Sequence, residues 1–253
     1  MWPKQMSWRV ALSLLLSVLV LPCAQAHGLH AQDWPQAVRA VMALPVFQGV
    51  PLELKVRKAK AGEPLMRTRT TERLTCELTI RPAPSEHTEA LRALVNPVHQ
   101  RALVQAYAFH EFTACWRWHQ DPAKYEGMVS LAKTADPKTP LGREAWEAYA
   151  REEAFADVAT LAWLEKAHPY SYPALLAVWR SLRSQPSDNP ANTLSLRAFE
   201  RIQAYGMIYG DTPFDAADTT LAALSQVRYT VHTQAAKGKP VPNQAVIDQR
   251  PGR

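Results

Sequence analysis

The sequence lacks several motifs on which common activities depend. It contains no glycine-rich phosphate loop, no Gly-x-Ser-x-Gly elbow and no Cys-x-x-Cys pair. Nucleotide binding, serine-esterase chemistry and thiol redox catalysis therefore have no support in it. No run of Lys and Arg is interleaved with aromatic residues, and the formal net charge of +6 is spread over 253 residues. Nucleic acid is for that reason not an expected partner.

Long apolar runs are scarce as well. The stretch at residues 10–21 has 12 residues, which is too short to span a bilayer, since a spanning helix takes roughly 20. Basic residues precede it and Ala24-Gln25-Ala26 follows it, as in a cleavable secretory signal. We therefore expect residues 1–26 to be removed and the mature protein to be exported, periplasmic or extracellular, with no stable membrane anchor. A lipoprotein anchored through Cys23 is the alternative, although Pro22 stands where a small residue is expected.

The hydrophobic pattern of the rest predicts an α+β fold that is mainly helical. Two segments, 52–57 and 74–80, alternate like half-buried strands and predict a small antiparallel sheet. We expect one domain over residues 27–236 and a disordered tail over 237–253, which is poor in large apolar residues. Helical patterns predict segments at about 34–44, 86–95, 98–118, 124–133, 143–166, 173–184, 192–205 and 213–235.

Ionisable residues lie where two of these helices should carry apolar ones. In the helix expected over 143–166, the apolar line passes through Glu153 and Asp157, which are four residues apart. In the helix expected over 98–118, His110 lies on the corresponding line. Buried carboxylates are costly unless they are paired, hydrogen-bonded or bound to a metal. The two helices should therefore face each other, with the imidazole meeting the carboxylates; a solvated charged face is the alternative.

These segments resemble a known family. His110-Glu111-Phe112-Thr113-Ala114 resembles the HExxH helix of zinc metallopeptidases, and Glu153-Ala154-Phe155-Ala156-Asp157 is similar to the downstream Glu-x-x-x-Asp helix of the gluzincin, or thermolysin-like, group. The resemblance implies a zincin-like domain in which His110 and Glu153 bind zinc and Glu111 activates a metal-bound water. It implies that Asp157 orients His110. It also implies that the strand before the helix holds extended substrate.

The sequence departs from that family at one decisive position. Ala114 stands where the second histidine ligand belongs, and a methyl group cannot bind a metal. Two substitute ligands are conceivable: the thiolate of Cys115 in a distorted helix, and His119 if the helix ended early. Cys76 and Cys115 are the two cysteines left after the signal, and they either form a disulfide or remain two buried thiols. A disulfide would prevent Cys115 from binding zinc.

From these features we expect an exported metallopeptidase-like protein with an incomplete zinc site. Its catalysis should be impaired, and a peptide or protein would be its partner in binding or regulation. One alternative is an active zinc metallopeptidase completed by a substitute ligand. The other is a helical assembly or interaction protein of the cell envelope that is unrelated to peptidases.

Overall fold

The computed structural model describes residues 29–58, 64–71, 75–82, 93–185 and 190–236. This part of the chain is mainly helical and carries a small sheet, which makes the fold α+β. The expected signal, the expected tail and most of the helix expected over 86–95 lie outside the described residues.

The described helices agree with those predicted from periodicity, with ends shifted by a few residues. The strands are β1 (Leu52–Val56), β2 (Met66–Thr70) and β3 (Cys76–Ile80). Short 3-10 turns occupy Ala31–Asp33, Pro45–Phe47 and Pro97–His99. The helices are α1 (Trp34–Met42), α2 (Gln100–Gln120), α3 (Pro122–Thr134), α4 (Pro140–Ala167), α5 (Tyr172–Arg183), α6 (Pro190–Tyr205) and α7 (Pro213–Ala236).

Proline and polar caps begin most of these helices. Proline occupies the first turn of α1, α3, α4 and α5, and α6 and α7 begin at Pro190 and Pro213. A fixed φ and a missing N–H suit the first turn, where the N–H has no partner within the helix. Asp121 and Thr139 cap α3 and α4 through their side chains. These helix starts accommodate six of the 20 prolines in the sequence.

The sheet is mixed, with the strand order β1-β3-β2. The antiparallel pairing predicted for the first and last of these strands is wrong: Leu52 lies opposite Cys76 and Val56 opposite Ile80, so β1 and β3 run parallel. The reason is β2, which lies in the connection between them and takes the antiparallel place beside β3. Strand β3 is therefore the central strand, and all five of its residues are buried. Leu74, part of the predicted strand, lies outside the described residues.

Helix α4 lies at the centre of the helical part. It packs against α2, α3, α5, α6 and α7, and every residue from Ala154 to Leu164 is buried. Helix α2 packs against α4 and also against β2 and β3. On the core side of this contact, Phe109 stacks on Trp163 with ring centroids 4.9 Å apart. Because α2 touches both the sheet and α4, side chains from all three meet around its middle.

Candidate functional site

The structure brings His110, Glu153 and Asp157 together between α2 and α4. His110 Nδ1 lies 3.2 Å from Asp157 Oδ1, although Nδ1 does not form a well-aligned hydrogen bond there. His110 Nε2 lies 3.8 Å from Glu153 Oε2. Burial disfavours the imidazolium, but Asp157 and Glu153 outweigh it and raise the pKa of His110 above its ordinary value. The two helices thus face each other through these three side chains.

Asp157 is the most enclosed member of the cluster, with no exposed surface. Its carboxylate accepts hydrogen bonds from Trp179 Nε1 at 3.1 Å and from Ser195 Oγ at 2.6 Å. Arg183 donates to both oxygens, through Nε at 2.7 Å and Nη2 at 2.8 Å. Burial opposes ionisation of Asp157, but Arg183 and His110 outweigh it and hold the pKa of the carboxyl well below its usual range. Asp157 is therefore a charged group held by donors from α5 and α6, with the imidazole of α2 beside it.

Arg183, Trp179 and Ser195 were not predicted as site residues. Trp179 falls at a helical spacing that is typical of the core, and Arg183 is one of many basic residues. Nothing in the spacing of Ser195 indicates that its hydroxyl meets a residue 38 positions away. All three side chains bond Asp157, and this contact exists only because α5 and α6 pack against α4.

Glu111, the residue after His110, meets the sheet instead of α4. Its Oε2 accepts hydrogen bonds from the backbone N–H of Thr68 at 2.9 Å and from Thr68 Oγ1 at 2.5 Å. No Lys, Arg or His of the described ranges lies within ion-pair distance of it. Glu111 is thus a carboxylate held by uncharged donors of β2, a strand that the sequence did not predict.

An open-sided cavity of about 420 Å³ lies between β2, α2, α3 and α4. Polar, aromatic and disulfide-bonded side chains share its wall with the methyl of Ala114 and with Val129. A smaller cavity of about 330 Å³ lies next to it, towards α5, and shares His110, Glu111 and Glu153 with it. The remaining wall residues of the larger cavity are Thr68, Arg69, Thr70, Cys76, His110, Glu111, Cys115, Trp118, Tyr125, Tyr149 and Glu153.

Two tyrosines stand over Glu153 in the larger cavity. Burial, together with the charge of Glu153 and a hydrogen bond to it, raises the pKa of Tyr149 to about 12. Burial likewise raises the pKa of Tyr125, and the charges of Glu153, Glu152 and Glu111 add to that shift. Both phenols therefore remain protonated at neutral pH.

Cys76 and Cys115 form a disulfide that ties β3 to α2, with their Cα atoms 5.9 Å apart. The disulfide decides between the two alternatives left open by the sequence, and it removes Cys115 as a substitute zinc ligand, because a bonded sulfur has no thiolate to offer. The bridge forms part of the cavity wall one residue beyond Ala114.

His119 is not brought to the site either. Helix α2 continues without interruption to Gln120, so His119 lies about 13 Å further along the helix axis than His110. Its ring lies beside Trp118, with the centroids 6.4 Å apart, and His119 is not part of the cavity wall. His119 could have reached the site only if the helix had ended before it, but the helix includes His119.

The residues present do not fit a catalytic zinc, which takes three protein ligands and one open position. His110 and Glu153 are two donors, and Ala114 offers only a methyl group. Among the described residues there is no group of three His, Cys, Asp or Glu side chains arranged to hold a metal ion. Arg183 Nη2, 3.6 Å from Glu153 Oε2, already supplies a positive charge to that carboxylate. The roles that the resemblance implies for His110, Glu111, Glu153 and Asp157 therefore remain predictions.

Comparison with known proteins adds no relative. No protein-family model, curated protein or solved structure matches the chain. Within the described ranges, no helix has the length and apolar character needed to cross a membrane. Functional inference therefore depends on the geometry of the site itself.

Proposed function

We propose that this is an exported, metallopeptidase-like protein that binds a peptide segment in the cavity between β2 and α2 without hydrolysing it. The proposal is carried by one observation: His110, Glu111 and Glu153 line a cavity beside a sheet edge, while the position of the missing ligand is filled by Ala114. A cavity wall with polar and aromatic groups supports the proposed binding, while the described residues offer no third ligand for a zinc ion.

Strand β2 supports the choice of a peptide as ligand. It is an outer strand of the sheet, and Leu65 and Thr71 on either side of it pair towards β3 and its continuation. Backbone polar groups alternate in direction along a strand, so those of Met66, Thr68 and Thr70 point away from β3. An extended peptide could pair with this edge as an added strand through the backbone groups of Met66 and Thr70 and the carbonyl of Thr68. The amide of Thr68 already donates to Glu111, which fixes β2 against α2 at the mouth of the cavity.

Peptide binding by the mature chain, residues 27–253, tests the proposal. Immobilised libraries of extended peptides should yield binders, and mass spectrometry should recover them uncut. Ala114→Phe fills the cavity from its wall and should abolish binding. Ala148→Phe, on α4 and outside this cavity, should bind normally and serves as the matched control.

Two outcomes would contradict the proposal. Cleavage that needs both zinc and Glu111 would make the protein an active metallopeptidase. Failure of every peptide to bind, with the fold intact by circular dichroism, would favour an assembly protein of the envelope and remove the peptide ligand.

A further inference from the structure

Among the described residues, the charges around the larger cavity do not balance. Glu111, Glu153 and Asp157 carry three negative charges, and the cation that contacts two of them is Arg183, which bonds Asp157 and lies 3.6 Å from Glu153. Protonation of His110 adds one positive charge between Glu153 and Asp157. In either protonation state of His110 the group remains negative.

Arg69, a second cation of the cavity wall, does not correct this excess, because it is already paired. Its guanidinium bonds Glu77 through Nε at 3.1 Å and Nη2 at 3.0 Å. Lys55 also pairs with Glu77 and lies 3.8 Å from Glu53, so these two cations face two carboxylates. Arg69 and Glu77 are opposite one another in the register of β2 and β3, and side chains of odd-numbered residues there point to the face away from Cys76 and Cys115. Within the described ranges, the hydrogen bonds to Glu111 come from the uncharged donors of Thr68.

Aromatic rings complete the wall. Trp118, Tyr125 and Tyr149 line the same cavity as Glu111 and Glu153. The faces of indole and phenol rings attract cations, and the attraction strengthens when water is excluded. Tyr125 and Tyr149 stay neutral at physiological pH, so they offer ring faces without adding charge. A cavity with two carboxylates, three such rings and a disulfide floor suits an organic cation better than an anion or an apolar group.

We infer that this cavity receives a primary ammonium group of the bound peptide, with Glu111 and Glu153 as its counter-charges and the three rings around it. The inference rests on the proposed peptide-binding function and names the chemical class that the site selects. The ammonium could belong to a lysine side chain or to the amino terminus of the peptide. The ammonium would supply the positive charge that a metal ion supplies in a complete zinc site.

Isothermal titration of the mature chain with four probes tests this inference. Three are peptide amides of one length: acetyl-Ala-Lys-Ala-amide, its acetylated norleucine counterpart, and the norleucine peptide with a free amino terminus in place of the acetyl group. The fourth is hexylammonium alone. We expect a cationic peptide to bind at least about tenfold more tightly than the neutral one, as one charge-assisted hydrogen bond allows. The preferred cationic peptide identifies the source of the ammonium.

Variants locate the effect. Glu111→Gln keeps an acceptor for Thr68 but removes the charge, and it should reduce the cationic peptide to the affinity of the neutral one; Glu153→Gln should act in the same direction. Glu147→Gln, an equal change of charge at an exposed position of α4, should leave the preference unchanged.

The outcomes of these titrations distinguish failure of the ammonium site from failure of the proposed peptide binding. Equal binding of the neutral and cationic peptides, abolished by Ala114→Phe, would overturn the ammonium site and leave peptide binding intact. If hexylammonium binds and none of the three peptides does, the ammonium site is supported and the peptide-binding function is overturned. Displacement of the cationic peptide by equimolar zinc chloride would overturn the inference, because the cavity would then be a metal site.

Discussion

Asp157→Asn tests how much the buried ion-pair cluster contributes to stability. The substitution keeps the shape of the side chain but removes its charge and replaces one acceptor oxygen by an NH₂ donor. Arg183 and His110 would lose their counter-charge at a site with no exposed surface on Asp157. Removing one partner of a buried pair costs about 3–5 kcal/mol. Each kcal/mol lowers Tm by about 2–4 °C in a domain of this size, so we expect a fall of at least about 6 °C.

Urea unfolding followed by far-UV circular dichroism measures the free energy, and a thermal scan gives Tm. Glu152→Gln is the matched control, since it breaks a bidentate pair with Arg117 on the same two helices. That pair is partly solvated, with 30% of the Arg117 side chain exposed, so its loss should cost no more than about 1 kcal/mol. If Asp157→Asn costs no more than this control, the argument from burial is refuted.

The pH dependence of the same variant has a definite sign. The pKa of Asp157 is lowered from its ordinary 3.8 in the folded protein, so its stabilisation is present above that ordinary value and is lost as pH falls towards the folded pKa. The pKa of His110 is raised from 6.5, so its contribution is present below that value and is lost as pH rises through the folded pKa. The native protein should therefore lose more stability than Asp157→Asn on both sides. Parallel stability profiles for the two proteins would contradict this.

Three further changes test other parts of the structure. Replacing Cys76 and Cys115 together by Ala opens a link between residues 39 apart and should cost about 2–4 kcal/mol in urea unfolding; an unchanged midpoint would contradict the disulfide. Hydrogen bonds from Arg69 and Lys55 lower the pKa of Glu77 to about 2. Its stabilisation should be present above the ordinary 4.5 and be lost as pH falls towards 2, so Tm should depend less on pH in that range in Glu77→Gln. Ala114→His supplies a third donor and should retain zinc through gel filtration, by elemental analysis, where the native chain does not; equal retention would contradict an incomplete site.

Periodicity predicted the part of the site that lies on helices. Two carboxylates four residues apart on an apolar line leave few ways to bury α4, and pairing with an imidazole on α2 is one of them. The sequence alone therefore led to His110, Glu153 and Asp157 as neighbours. Their distances in the structure, 3.2 and 3.8 Å, agree with that argument.

The sheet and the outer partners could not be predicted in the same way. The segment of β2 reads Met-Arg-Thr-Arg-Thr, so threonines occupy the face where a strand pattern requires large apolar residues. Met66 alone on that face joins the hydrophobic core, and Thr68 meets Glu111 instead. Once β2 was missed, the two recognised strands were paired directly, which gave the wrong direction. Arg183 was missed because its partner lies 26 residues away on another helix.

The histidine that is missing at position 114 and the presence of Arg183 bear on the same electrostatic requirement. A carboxylate as buried as Asp157 needs a positive charge nearby, whether it comes from a metal complex or from a side chain. Arg183 bonds both oxygens of Asp157 and lies 3.6 Å from Glu153, so a side chain already supplies positive charge to these two acids. Within the described part of the chain, Glu111 forms no ion pair with a basic side chain and accepts its hydrogen bonds from Thr68. Among these acids, Glu111 is therefore the one for which we propose a counter-charge from the ligand.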